Sequence, residues 1–348
     1  MDPTAQLHYV HGSPMARGTI KTTPEDFIVE EILSFVPSGS GEHAFVHIEK
    51  WGENTDFVAR QLARFTGTKP RDIGYAGLKD RHGRTSQWFS VQLPGQEDPD
   101  WSQCQGEQFR VLAHTRNDRK LRRGAIKENR FTLTIRDIDP PIDSLLARIN
   151  AIAASGVPNY FGPQRFGRDG NNVERALDLI RNPSTRINPN LRGLFFSAAR
   201  SEIFNQILSE RVMEGSWNLA IPGDVYMFPD SKSHFEAAAD DLDIQDRIQQ
   251  MRIHPSGPLV GEKPSTAKER ALEIETRILA RFTELHEGLQ RERLESLRRP
   301  YRLVPEQLSA QPLENGSLRL QFNLPAGTYA TTVLRELLNF ESSQHPEV

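Results

Sequence analysis

The stretch Phe131-Thr-Leu-Thr-Ile135-Arg-Asp-Ile-Asp139-Pro-Pro141-Ile142-Asp-Ser-Leu145-Leu-Ala-Arg-Ile149-Asn-Ala-Ile152-Ala-Ala154 changes its hydrophobic period half-way. Up to Ile135 apolar and polar residues alternate, as in a half-buried strand; after the two prolines the apolar positions take helical spacing. Upstream, Thr19-Ile20-Lys21, Phe27-Ile28-Val29, Ala44 to Ile48, Trp88 to Leu93 and Phe109 to Leu112 also read as strands. The exception is Asn54 to Phe65, where Val58, Leu62 and Phe65 fall at i, i+4 and i+7, with Asn54 or Thr55 available as cap and Gly67 just past the end. Downstream, the helical period holds over Val173 to Ile180, Ser197 to Val212 and Ala267 to Leu297. In the last of these, Ala271, Ile274, Ile278, Phe282, Leu285 and Leu289 form one apolar stripe. Beyond Pro300 the strand habit returns in Leu318 to Phe322, before a final helix with Val333, Leu334, Leu337 and Leu338. Strands without regular βαβ alternation favour an α+β fold with a mixed, largely antiparallel sheet. A chain that ends in the style of its beginning suggests a mostly helical insertion.

At roughly 150 residues per domain, the 348 residues fit two domains better than one. Charged residues at 26% and apolar ones at 37% are ordinary globular usage, which excludes bulk disorder. The single cysteine, Cys104, closes no intrachain disulfide and builds no thiolate zinc cluster. The N-terminus has neither a basic nor an apolar signal region, and no run approaches the ~18 apolar residues of a membrane span, so a cytoplasmic protein is expected. Net charge is −3, which by itself does not point to a polyanionic partner.

The local distribution of charge says otherwise. Between Arg116 and Arg130, seven cations (Arg116, Arg119, Lys120, Arg122, Arg123, Lys127, Arg130) face two carboxylates, Asp118 and Glu128, a local excess of +5. Such a cluster is what phosphate neutralisation needs. The densest polar segment is Gly74-Tyr-Ala-Gly77-Leu78-Lys79-Asp80-Arg81-His82-Gly83-Arg84-Thr85-Ser86-Gln87-Trp88, a loop between a helix and a strand with one carboxylate among cations. A third, Pro158 to Arg168, interleaves Tyr160, Phe161 and Phe166 with Arg165 and Arg168. It suits either stacking on bases or packing at a domain junction. Gly39-Ser-Gly41 imitates a dinucleotide fingerprint but leads into a strand, and the histidines have no ligand spacing, so no metal site is expected.

Together these segments resemble the TruD family of tRNA pseudouridine synthases. The resemblance rests on Ala76-Gly77-Leu78-Lys79-Asp80-Arg81 with Thr85-Ser86-Gln87, on Lys21-Thr-Thr-Pro24-Glu25-Asp26-Phe27 with Glu30-Glu31, and on Asn129-Arg130-Phe131. It extends to Asn159-Tyr160-Phe161-Gly162, to Gln164-Arg165-Phe166-Gly167 and to Leu324-Pro325-Ala326-Gly327-Thr328-Tyr329. It implies a pseudouridine-synthase catalytic domain in two parts, residues 1–155 and 301–348, around an insertion domain at 156–300. It further implies isomerisation of a tRNA uridine, uridine 13 of the D arm. A monomer is expected, and the lack of ligand spacing and of a phosphate-cradling Gly-rich loop predicts no metal or other cofactor.

The residues agree with that chemistry. Breaking the N1 to C1′ bond calls for a carboxylate nucleophile or ion-pair stabiliser, and Asp80 is the candidate. A free aspartate titrates near 3.9 and burial can raise this by about 3. A cation must therefore keep it ionised, and one about 4 Å away is worth ~4 kcal/mol at an effective dielectric near 20. Lys21 and Arg81 are both candidates; the family motif favours Lys21. A flipped base needs a stacking face and hydrogen-bond partners, for which Phe131 and Asn129 are expected, with Phe27 and Tyr329 completing the pocket. Arg119, Lys120, Arg122 and Arg123 are expected on the RNA backbone. Phe131 has no hydroxyl to take the C5 proton, which leaves that base unassigned with His82 as one candidate, and Glu128 stands where a small residue of a turn is expected. Two other readings stay open: a tRNA-binding protein without catalysis, and an N-glycosidase releasing free uracil.

Overall fold

The computed structural model describes residues 4–139, 142–167, 170–229 and 231–342; Arg168, one of the arginines of the aromatic stretch, lies outside them. The first half contains β1 (Arg17–Ile20), β2 (Phe27–Leu33), β3 (His43–Lys50), α1 (Thr55–Thr66), β4 (Ile73–Tyr75), β5 (Arg84–Gln92), β6 (Phe109–Asn117), β7 (Ile126–Asp139) and α2 (Asp143–Ser155). A second region follows with β8 (Val157–Pro158), α3 (Asn171–Arg181), α4 (Pro189–Met213), β9 (Val225–Met227), β10 (His234–Glu236), α5 (Leu242–Gln249), β11 (His254–Leu259), α6 (Glu269–Leu279), α7 (Thr283–Arg291) and β12 (Leu297–Pro300). The chain returns through β13 (Arg302–Leu303), β14 (Glu306–Pro312), β15 (Leu318–Pro325), α8 (Ala330–Leu337) and β16 (Asn339–Ser342). The fold is α+β, with a mixed sheet that is mostly antiparallel.

That sheet runs β14-β15-β7-β2-β5-β3-β6, with β1, β16 and β4 added at its flanks. The pairs β2–β5 and β1–β16 are parallel, and the others are antiparallel. Register explains where a pocket can form. Across β2, β7 and β15 one row is Phe27, Leu133 and Leu320, the next Val29, Phe131 and Phe322, the next Glu31, Asn129 and Leu324. Side chains two apart share a face, so one face grades from aliphatic to aromatic to polar. Leu145, Ile149 and Ile152 of α2 and Val333, Leu334 and Leu337 of α8 belong to the same core as the first rows. At the other end, Val58 and Leu62 of α1 pack on Ala44, Val46, Ile48, Phe89 and Val91. Helix α1 stops where expected, on Gly67 in the left-handed conformation at φ 66°.

The second region has a separate core around α4, which Val212, Ile207, Phe204 and Ile203 bury against α3, α6 and α7. It also holds a four-stranded sheet, β10-β9-β11-β12, beyond the helices the spacing predicts. The stripe from Ala271 to Leu289 is two helices with a 3-10 turn at Ala280–Phe282 between them. Ile274, Ile278, Leu285 and Leu289 face one core, so the spacing continues although the helix does not. β8 pairs with β13, so the chain leaves the first sheet and returns to it at one place. The N-terminal segment crosses over: Leu7 is buried in the second core and His8 bonds Ser209 of α4. Among the described residues no helix is long and apolar enough to cross a membrane.

One ion pair organises the second core. Arg211 of α4, fully buried, donates to Asp224 at 2.7 and 3.0 Å and to the carbonyls of Ser216 and Leu219. Asp224→Ala strands a buried guanidinium and is expected to lower the unfolding free energy by about 3–5 kcal/mol. Glu284→Ala removes an exposed partner of Arg181 and is expected to cost under about 1 kcal/mol. Urea unfolding compares the two, and equal small losses would contradict the organising role of the pair.

Candidate active site

Asp80 sits in the loop between β4 and β5, its side chain 21% exposed. Lys21, 11% exposed, reaches it from the end of β1 as an ion pair, and the backbone N–H of His82 donates to its other oxygen at 2.9 Å. Burial would raise the Asp80 carboxyl. The charge and hydrogen bond of Lys21, with the His82 amide, outweigh that and hold it below the usual carboxylate range. Lys21 adopts φ 56°, a left-handed conformation that a lysine takes at a cost. Its ammonium also lies 4.2 Å from the centre of the Phe27 ring.

The loop is fixed from beneath. Lys79 forms a buried ion pair with Glu31 at 3.0 Å and donates to Asn129 Oδ1 at 2.5 Å. The other Glu31 oxygen accepts from the Trp88 amide at 3.1 Å; burial pushes its carboxyl up, and Lys79 opposes the rise. Gln87 donates to the Gly77 carbonyl and accepts from Thr55 Oγ1, which in turn accepts from the Lys79 amide. The Thr85-Ser86-Gln87 stretch thus contributes the buried amide that anchors the loop. Lys50, fully buried, donates to the Asp80 carbonyl at 2.8 Å, and burial pushes its ammonium down to about 8.

Asp80 opens into a cavity of about 470 Å³ lined by Lys21, Phe27, Val29, Ala76 to Asp80, Asn129, Phe131, Gln164 and Ala326 to Thr331 among others. Phe131 stacks on Phe322 at 5.4 Å between centroids and meets Phe27 edge-on at 6.3 Å. A lysine only donates, so the Asn129 oxygen faces Lys79, and the amide N–H groups are what Asn129 has left to offer. Gly124 also lines a second cavity of about 870 Å³ along the basic loop, and Ala326 and Thr328 line a third of about 610 Å³ that reaches Arg298, Arg299 and Arg302. The second and third cavities thus each share wall residues with the first.

The structure brings Asp80, Lys21, Phe27, Asn129, Phe131 and Tyr329 to one cavity. Arg81, expected to bind substrate, is not among the residues lining that cavity; its Nε donates to the Gly52 carbonyl, and Lys21 is the cation paired with Asp80. His82 engages Asp80 through its backbone, and its ring is not in the cavity wall. Glu128 lies in β7, not in a turn, where Asn323 donates to it. In the basic loop Leu121 is buried and its amide donates to Ser90 Oγ, while Arg119, Arg122 and Arg123 stand exposed. Lys120 differs from the expectation: its ammonium is tied to the Arg71 carbonyl at 2.5 Å. The aromatic stretch is overturned as a stacking platform, because Tyr160, Phe161 and Phe166 are buried in the second core; Gln164 is what it lends to the cavity. Sequence reasoning missed Lys50, although Lys50 continues the inward phase of Val46 and Ile48 along β3. Among the described residues no cluster of three histidine, cysteine or acidic side chains could hold a metal ion.

A family model described as tRNA pseudouridine synthase D (TruD) matches residues 5–182 and 168–337. The tRNA pseudouridine synthase D of Methylococcus capsulatus is 51% identical over 341 residues, spanning 98% of this chain and 96% of that protein. The Proteus mirabilis protein of the same name is 42% identical over 339 residues, 97% of each. A crystal structure from Methanosarcina mazei, of a chain described as a candidate TruD, aligns with TM-score 0.74 at 25% identity over 95% of both chains. Matched in this way along nearly its whole length, the chain belongs to the tRNA pseudouridine synthase D (TruD) family.

Proposed function

We propose that this protein isomerises a uridine of tRNA to pseudouridine, uridine 13 of the D arm, with Asp80 as the nucleophile. The observation that carries the reading is a largely buried carboxylate, kept ionised by Lys21, in the wall of a cavity of about 470 Å³ lined by Phe27 and Phe131. The relatives named above are tRNA pseudouridine synthases, which supports tRNA as the substrate. In the reaction the bond from C1′ to N1 breaks with its electron pair going to uracil, while Asp80 captures or stabilises the electron-poor C1′. The uracil turns, C5 joins C1′ as any bond from the Asp80 oxygen to C1′ breaks and returns the carboxylate, the C5 proton leaves and N1 gains one. Atoms balance without a redox partner or group donor. Phe131 offers a stacking face, and Asn129 offers a donor to a base carbonyl. The basic loop borders a cavity that shares Gly124 with the Asp80 pocket, which supports Arg119, Arg122 and Arg123 as contacts to the RNA phosphates.

The reading is tested by carbodiimide mapping of pseudouridine in tRNA treated with purified protein in excess EDTA. Release of free uracil would instead indicate an N-glycosidase, and binding without either product a non-catalytic protein. Asp80→Asn keeps shape and hydrogen bonding but supplies no carboxylate. It is expected to cut turnover by roughly three orders of magnitude or more, while tRNA affinity stays within about tenfold, or ~1.4 kcal/mol. Turnover near the wild-type rate would remove Asp80 as nucleophile.

The pH dependence follows from the same pair. In the wild type the Asp80 carboxyl is held low, so its ionised form persists as pH falls through the ordinary carboxylate range. Lys21→Met removes the largest opposition to burial and leaves His82 as the remaining one, which raises the carboxyl and is expected to move the acid limb of the kcat profile to higher pH. An acid limb that stays in place would contradict the role given to Lys21.

Changing Arg119, Arg122 and Arg123 together to Gln is expected to weaken tRNA binding and to flatten the slope of log K against log salt by roughly 2 to 3. Catalysis at saturating tRNA should change far less. An unchanged slope would return these arginines to a merely solvated loop.

A further inference from the structure

The Asp80 loop inverts the usual partition of its side chains. Lys79 is buried, its side chain 7% exposed, whereas its neighbour Leu78 is 72% exposed at the cavity wall. Leucine in water and lysine inside run against the ordinary ranking of burial. Single exposed leucines are common on surfaces; what sets this one apart is the backbone on either side. The Gly77 carbonyl accepts from Gln87 at 3.1 Å and the Lys79 amide donates to Thr55 Oγ1 at 3.0 Å. Thr55 and Gln87 are fully buried and bonded to each other at 2.8 Å. Both peptide units flanking Leu78 are therefore tied to the core, and the Lys79–Glu31 pair fixes the next link. Leu78 is held out on a rigid mount, two residues from Asp80.

A uridine that reacts at C1′ must leave its stack, and the gap it leaves bares the apolar faces of its neighbours. Proteins that unstack bases often insert an apolar side chain between base steps. We propose that Leu78 is such a wedge: it enters the helical gap left by the target uridine of tRNA and keeps that nucleotide in the cavity. This rests on the pseudouridine reading of the Asp80 site. Leu78 acts as a positioning residue, since it works on the neighbours of the target and not on C1′, N1 or C5.

Single-turnover rates on two transcripts test this: the tRNA, and the same tRNA with an abasic residue in place of the helical partner of the target uridine, which lowers the cost of extrusion. With wild-type turnover in hand, Leu78→Ala should slow the tRNA tenfold or more and the abasic transcript less than threefold. The urea midpoint should not move, because the side chain stands in water. In the tRNA, 2-aminopurine beside the target reads extrusion directly, and its fluorescence rise should fall at least fivefold in Leu78→Ala. Leu78→Met should restore most of the rate and Leu78→Gln, of similar length but polar, should not. Equal slowing on both transcripts, an unchanged 2-aminopurine signal, or rescue by Gln would overturn the wedge. A wild-type protein that makes no pseudouridine would overturn the underlying reading and the wedge with it.

Discussion

A carboxylate in the wall of a pocket lies away from bulk water and yet has to stay charged. The first demand raises its pKa and the second requires a cation within hydrogen-bonding reach. Much of the surroundings follows from reconciling the two. Lys21 supplies the charge from a left-handed residue at the end of β1, a conformation that persists only where the surroundings over-determine it. Lys50 holds the Asp80 carbonyl from below, and Lys79 is itself neutralised by Glu31. Three lysines thus converge on one loop with two carboxylates among them.

The sheet register decides where such a loop can open into a pocket. β2, β7 and β15 place Phe27, Leu133 and Leu320 in a row that α2 and α8 help to bury, and one row on they place Val29, Phe131 and Phe322. The row after that holds Glu31 and Asn129, which the buried Lys79 ties together. A shift of one residue in β7 would turn Asn129 and Phe131 to the other face. The β2–β7 pairing therefore sets the active-site geometry as well as the core.

Much of this was legible from the chain because the deciding patterns are local. Alternation gave the strands, the period change after Ile135 gave the helix α2, and Asp80 stood out as a carboxylate among cations in a loop. Lys21, Phe27, Asn129 and Phe131 came from the family resemblance, and β1, β2 and β7 carry them to one cavity. What was hidden depends on pairing between distant segments. Lys50 lies two residues past the alternating run Ala44 to Ile48, and it is the Asp80 loop, whose carbonyl it bonds, that covers it. Tyr160, Phe161 and Phe166 have the composition of a stacking surface, but composition does not say which side of an aromatic ring meets water, and the second core takes all three. The apolar stripe from Ala271 to Leu289 was right about the face and wrong about continuity, because two helices packed on one core keep a common spacing.

A net charge of −3 does not by itself point to a polyanionic partner, and the pairing of charges shows why it does not argue against one. In the second region cations are largely matched to acids: Arg181 to Glu284, Arg192 to Glu292, Arg277 to Glu210 and Glu214, Arg298 to Glu275. Such pairs cancel at short range, so they add to the sum of charges and little to the field a distant phosphate meets. Among the described residues Arg119, Arg122 and Arg123 have no ion-pair partner, and buried Leu121 pins the loop that presents them. The field that reaches an approaching RNA is therefore set by which cations are left unmatched, and these border the cavity that shares Gly124 with the Asp80 pocket.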